Sequence, residues 1–304
     1  MTGTRPWVAV VNGKAGSSDD PRLEQALDVL RAHAPLHVHR TEDRDDLQEA
    51  VDSARGGVVV AVGGDGSIHA VVTAIDDLDA YDDVELAIVP LGTGNDFVRT
   101  LGIDDDPVEA ARQAVAHEPR AADLLRDQEG RLVVNAVHVG LGAEANRKAE
   151  PWKRNLGPVG YAIGAVITGV VGKGFRATVL VDGERIRSPR RLVQVAVGNG
   201  RYVGGGAPLL PEADPFDGSL DVAVVWAHAR WKRLGYAYRL RRGRHPMRDD
   251  VVYLKAHEVT VQGEATQANL DGDLCDASPA HRWRVEPGRL QLRAPAGAPP
   301  PIEG

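Results

Sequence analysis

Five residues, Gly63-Gly64-Asp65-Gly66-Ser67, set one carboxylate among three glycines, a composition suited to handling phosphate. Without a Cβ, glycine lets the backbone approach a ligand and aim N–H groups at its phosphates, and the positive end of a following helix favours the same anion. Asp65 is the odd member, because a carboxylate beside phosphates repels them unless a divalent cation lies between. It reads as a ligand, direct or through water, of a nucleotide-bound Mg2+; a plain strand-to-helix turn with Asp65 as a cap is the alternative. A second cradle follows in Pro90-Leu91-Gly92-Thr93-Gly94-Asn95-Asp96, where Gly92 and Thr93 offer phosphate contacts and Asn95 and Asp96 stand where a helix would begin. The third is Asn12-Gly13-Lys14-Ala15-Gly16, with Lys14 as its cation and a solvated loop as its alternative; Thr41 completes the candidate nucleotide contacts.

The elements around these loops are legible from pattern. Val58 to Val62 is a β-branched run expected to be buried on both faces of a parallel sheet, with a helix opened by Ser67 after it. Strands are expected at Trp7 to Val11, Leu36 to His39 and Leu86 to Val89, and helices at Leu23 to His33 and from Asp45 to about Arg55. This alternation predicts an N-terminal doubly wound α/β domain in which three loops converge at the carboxyl edge of the sheet. After a helix at Pro107 to Ala116 and an exit segment at Arg120 to Leu125, hairpin-forming strands take over: Leu132 to Val139, Ala177 to Ile186 with a turn at Asp182-Gly183, Leu192 to Val197, Leu220 to Val225, Val251 to Ala256, and late strands near Trp283 and Leu290. The expected division is 1–125, 126–294 and a proline-rich tail at 295–304.

Composition narrows the function. A 304-residue chain with 43% hydrophobic and 26% charged residues reads as a soluble globular protein. Its net charge of −7 gives no support to nucleic-acid binding. Cys275 is the only cysteine, which excludes an internal disulfide and suits a reducing cytoplasm, and the N-terminal stretch does not read as a signal peptide.

GGDGS at 63–67 with PLGTGND at 90–96, preceded by NGKAG at 12–16, resembles the diacylglycerol kinase catalytic-domain family, which includes bacterial soluble lipid kinases and the sphingosine and ceramide kinases. GGDG also occurs in NAD kinases and phosphofructokinases, so the intact P-x-G-T-x-N-D element is the discriminating one. The resemblance covers nearly the whole chain and implies a C-terminal β-sandwich, ATP and Mg2+, and transfer of the γ-phosphate to a lipid hydroxyl, with 1,2-diacylglycerol the default acceptor. It implies a structural Mg2+ at Asp217-Gly218-Ser219-Leu220-Asp221, through the Asp217 side chain and the carbonyls of Asp214 and Ser219; a plain turn is the alternative. It also implies that Asn269-Leu270-Asp271-Gly272-Asp273 supplies acids to the active site across a cleft, with Asp271 as candidate base and Asp273 as its rival or as part of a water–Mg2+ network. Three departures stand out: Gly13 and Ala15 replace a usual proline and serine, His69-Ala70 replaces Asn-Glu, and Asp273 replaces glutamate.

Two stretches bear on membranes. Pro158 to Val171 is apolar but shorter than the roughly 20 residues that span a bilayer, and reads as a buried or pocket-lining helix. Arg230 to His245 carries Arg230, Lys232, Arg233, Arg239, Arg241, Arg242 and Arg244 without an acid, with Trp231, Tyr236 and Tyr238 interleaved, which fits peripheral contact with the inner face of the membrane; a solvated helix is the alternative. Kinase action on a soluble hydroxyl compound, and nucleotide or lipid binding without turnover, remain the competing functions, and association into a homodimer stays open.

Overall fold

The computed structural model describes residues 5–12, 21–140, 174–187, 191–226 and 229–295. They form two compact units: the chain up to Ala122 together with a return segment that begins at Pro287, and the stretch Asp123–Glu286. Residues 287–294 belong to the first unit, where Leu292 near the end of the last strand pairs in parallel with Leu86.

The first unit alternates β1 (Trp7–Asn12), α1 (Pro21–His33), β2 (Leu36–Thr41), α2 (Arg44–Ser53), β3 (Gly57–Gly63), α3 (Asp65–Asp77), β4 (Val84–Pro90), α4 (Asp96–Leu101) and α5 (Pro107–Ala116). The strands run parallel in the order β2-β1-β3-β4. Every residue of β3 is buried, the consequence of a valine-rich central strand covered on both faces. On one face Val58, Val60 and Val62 pack with Leu23, Leu27 and Leu30 of α1 and with Ala111 and Ala114 of α5. Each such aliphatic side chain contributes about 1.5–3 kcal/mol on burial. Because the chain reverses its winding between β1 and β3, the crevice beside the carboxyl ends of those strands is where this topology takes ligands.

The second unit is a sandwich. Its elements are β5 (Pro119–Asp127), whose first residues belong to the first unit, β6 (Leu132–Val133), β7 (Ala136–Gly140), β8 (Ala177–Val181), β9 (Glu184–Ile186), β10 (Gln194–Gly198), β11 (Tyr202–Val203), β12 (Ala207–Pro208), β13 (Leu220–Val225), α6 (Arg230–Leu240), β14 (Val251–Ala256), β15 (Glu258–Thr266), β16 (Ala268–Leu270), β17 (Asp273–Leu274) and β18 (Ser278–Arg293). One layer follows β14-β13-β10-β7-β16-β17, and the other is built on β8, β9, β15 and the first half of β18. Val137, Val195, Val197, Val222 and Val224 of the first layer meet Val179, Val259, Val261 and Trp283 of the second in one core. Strand alternation therefore turns Ala136, His138 and Asn269 to the opposite face.

Some expected elements have different limits. α3 begins at Asp65, ahead of Ser67. The single strand expected at 132–139 is broken into β6 and β7. The two late strands are one 16-residue strand, β18, that runs through Pro287-Gly288. Gly13, Lys14, Ala15 and Gly16, the Pro158 to Val171 stretch and residues 296–304 lie outside the described residues. Among the described residues, no helix is long and apolar enough to cross a membrane.

Candidate active site

The turns after β3 and β4 are locked together. Gly63 and Pro90 are register partners, and the Leu91 N–H donates to the Gly63 carbonyl at 3.0 Å. Beyond them the backbones touch: a Cβ on Gly92 would lie 2.5 Å from the Gly64 Cα and 2.7 Å from Asn95 Oδ1. Glycine is therefore required at 92 for close approach rather than for turning. Gly63, at φ +152°, has Ser67 Oγ where its own Cβ would stand. Gly64 is the extended N-cap of α3 and brings no side chain to its first turn; its carbonyl takes the Ser67 and Ile68 N–H groups, which leaves the Asp65 and Gly66 N–H groups to meet an anion.

Asp65 performs a task that neither sequence reading named. Its Oδ2 accepts from the Asp96 N–H and its Oδ1 from the Phe97 N–H, both at 3.1 Å. It thus caps α4, the neighbouring helix, rather than its own. Asn95 stands at the N-cap of α4 in the left-handed conformation (φ 47°, ψ 41°) and gives no side-chain cap; its Nδ2 donates instead to the Gly92 carbonyl at 3.0 Å. One aspartate consequently ties the two motifs together, and each of its oxygens keeps a further lone pair. Among the described residues no group of three His, Cys, Asp or Glu side chains could hold a metal. The donor set suits a cation carried in by phosphates, which supply most of its ligands, rather than one held by the protein alone.

Beside the 90–95 turn lies a hollow of about 240 Å3 whose lining includes Arg22, Leu91, Gly92, Thr93, Asn95 and Arg99. Thr93 is exposed in this hollow, and Gly66 is exposed in the first turn of α3. Arg99 is braced by the Gly94 carbonyl at 3.3 Å and Asp96 Oδ1 at 3.2 Å. Asn95 Oδ1 is buried without a hydrogen-bond partner, an acceptor that a ligand hydroxyl or amino group would satisfy. Arg22 and Arg99 escaped the sequence reading because they lie outside the glycine-rich windows, and nothing in their spacing marks them. Asn12 and Thr41 are register partners at the carboxyl ends of β1 and β2, and Thr41 is buried.

In the second unit, Asp271-Gly272 is the two-residue turn of the β16–β17 hairpin, with φ of 49° and 106°. The Asp271 carboxylate accepts three consecutive amides: Val134 N at 2.7 Å on Oδ2, and Asn135 N at 3.0 Å and Ala136 N at 2.9 Å on Oδ1. These bonds draw residues 134–135 out of the sheet and explain the break between β6 and β7. Three of roughly four acceptor directions are filled, so Asp271 is a fixed carboxylate with little spare capacity. Asp273 is exposed. Nearby, His138 and Asn269 face each other across β7 and β16, and His138 Nδ1 and Asn269 Nδ2 are buried without partners. Burial pushes the His138 pKa down to about 4, which keeps its ring neutral.

Residues 6–126 match the diacylglycerol kinase catalytic domain, and residues 135–294 match the YegS C-terminal NAD kinase beta sandwich-like domain. A Stenotrophomonas maltophilia protein named "Probable lipid kinase YegS-like" is 31% identical over 314 residues, covering 97% of this chain and 98% of that protein. The chain belongs to the YegS-like lipid kinase family. A Chromohalobacter salexigens protein of the same name is 32% identical, with 96% of this chain and 94% of that protein covered. The fold is shared with the crystal structure of a diacylglycerol kinase from Bacillus anthracis str. Sterne, at a TM-score of 0.78 and 24% identity over 97% of this chain and 99% of that one.

The metal implied for this family at Asp217 does not fit the residues present. Asp217 Oδ1 accepts the Ser219 N–H at 2.9 Å and its hydroxyl at 2.7 Å, while Oδ2 takes the Lys255 ammonium at 2.6 Å. A cation is already in place, and it belongs to the chain.

Proposed function

We propose that this family member is an ATP-dependent lipid kinase whose acceptor is 1,2-diacylglycerol. The interlock of the two glycine turns supports this reading most directly, since Gly64 against Gly92 and Asp65 on α4 hold the first turn of α3 open to phosphate. Bound nucleotide with its Mg2+ would supply the activated phosphoryl group. The α3 amides and the Gly92–Thr93 backbone hold the phosphates, Arg22 and Arg99 offset their charge, and Asn95 Oδ1 receives a hydroxyl or amino group of the nucleoside. Asp65 would hold that cation, directly or through water.

On the acceptor side, a neutral His138 and the Asn269 amide can accept from and donate to a hydroxyl, and a carboxylate of the 271–273 turn takes its proton. Asp271 is positioned by its three amides, whereas Asp273 is open to solvent, which favours Asp273 as the mobile proton acceptor and Asp271 as the group that shapes the turn.

The lipid would be met at the inner face of the membrane. Tyr238 and Met247 are exposed at 59% and 76%, and Arg239, Arg241, Arg242 and Arg244 are exposed beside them. Tyr236 is not part of that surface, because it is buried and its hydroxyl donates to Gln194 at 3.0 Å. Radiolabelled ATP with a panel of lipids tests the reading: labelled phosphatidic acid is expected, and no labelled phospholipid from any member overturns it. Binding without turnover is the second reading, favoured by His69-Ala70 in place of the family's Asn-Glu.

A further inference from the structure

The end of the 217–221 turn carries two acids and one base in a single cluster. Asp221 on β13 is the register partner of Lys255 on β14, and the Lys255 ammonium lies 2.9 Å from Asp221 Oδ2 and 2.6 Å from Asp217 Oδ2. The other Asp221 oxygen accepts the Tyr253 hydroxyl at 2.8 Å, and the other Asp217 oxygen accepts Ser219. All four carboxylate oxygens are thus partnered within the protein. The turn is closed from beneath by the Gly218 N–H, which donates to Asp123 Oδ2 at 2.6 Å.

We infer that the Lys255 ammonium is the resident cation of this turn and takes the place of a divalent metal, so that the second unit holds its fold without Mg2+. Asp221 is fully buried, and a buried carboxylate with no counter-charge is strongly destabilising. Lys255 supplies that charge from the facing strand. A divalent ion drawn to Asp217 would meet an ammonium already bonded to the same carboxylate, and like charges a few ångströms apart repel in a partly desolvated site. Any Mg2+ requirement of turnover then belongs to the nucleotide, a consequence that rests on the kinase reading while the inference itself does not.

The test is thermal unfolding of the full chain without nucleotide, after chelation, across a millimolar Mg2+ titration. The wild-type midpoint is expected to stay flat, Lys255→Met to melt lower in metal-free buffer, and Lys255→Arg to recover most of that loss because it restores the positive charge. A saturable rise of the wild-type midpoint with Mg2+ that Asp217→Asn removes would overturn the inference. So would a Lys255→Met protein that melts as the wild type does in metal-free buffer. Should Lys255→Met fail to fold, the wild-type titration and its Asp217→Asn control still decide the matter.

Discussion

Asp65 and Asp96, one in each glycine-rich motif, are joined by a 3.1 Å bond from the Asp96 amide to the Asp65 carboxylate. The bond makes the turn after β3 responsible for the start of α4. Removing it tests structure and chemistry separately. Asp65→Ala is expected to lower unfolding free energy by about 1–2 kcal/mol, the usual cost of losing a helix cap. Asp65→Asn keeps one acceptor oxygen but turns its NH2 toward the other backbone N–H, so it is expected to recover at most part of that stability while turnover stays low. Urea unfolding beside turnover measures both, and an Asp65→Asn protein with wild-type activity removes the carboxylate from the reaction.

Asp271 and Asp273 are expected to behave differently although they share a turn. Replacing the Asp271 carboxylate by a carboxamide would point a donor at backbone donors, so Asp271→Asn is expected to cost about 1–3 kcal/mol in stability as well as activity. Asp273→Asn touches an exposed side chain and is expected to leave the melting midpoint unchanged while kcat falls. An Asp273→Asn protein with unchanged kcat leaves proton removal to another group.

His245 gives the protein an acid-sensitive interior. It lies edge-on to Tyr236 and Tyr253, with ring centroids 5.6 and 6.5 Å away, and burial pushes its pKa from 6.5 down to about 4 against a smaller opposing pull from the Leu209 backbone. The folded pKa is the lower one, so the unfolded chain takes up a proton first on acidification. Stability that is complete above about pH 6.5 is then lost as pH falls toward about 4, by up to roughly 3 kcal/mol. His245→Phe is expected to flatten the profile of unfolding free energy over that window, with His138 contributing the slope that remains. Denaturant titrations at several pH values check it.

The exposed arginines after α6 predict a lipid preference. If about three of them meet an anionic leaflet at about 1 kcal/mol each, binding rises about a hundredfold over neutral vesicles. Co-sedimentation should show that gap, and replacing Arg241, Arg242 and Arg244 by glutamine should close most of it. Equal binding to neutral and anionic vesicles would remove this surface from consideration.

Legibility in the sequence followed the range of the forces involved. The valine run of β3 and the glycine turns were readable because burial and close backbone approach leave local composition behind. The cap that Asp65 places on α4 was not, because its partners lie 31 and 32 residues away. The same holds for the break at residues 134–135, imposed by a carboxylate more than a hundred positions downstream. Lys255 carried no motif, since its significance comes from strand register with Asp221. Pro287-Gly288 reads as an interruption, yet β18 continues through it.

That unbroken β18 has a bearing on how the protein can be dissected. The polypeptide leaves the first unit within β5 and returns within β18, so the first unit is not a contiguous stretch that could be excised as a self-sufficient fragment. A piece cut after residue 126 would leave the Leu86 edge of β4 without its Leu292 neighbour and offer an unprotected strand border to other copies. Dissection therefore calls for joining residues 1–122 directly to the segment that starts at Pro287, an internal deletion rather than a truncation.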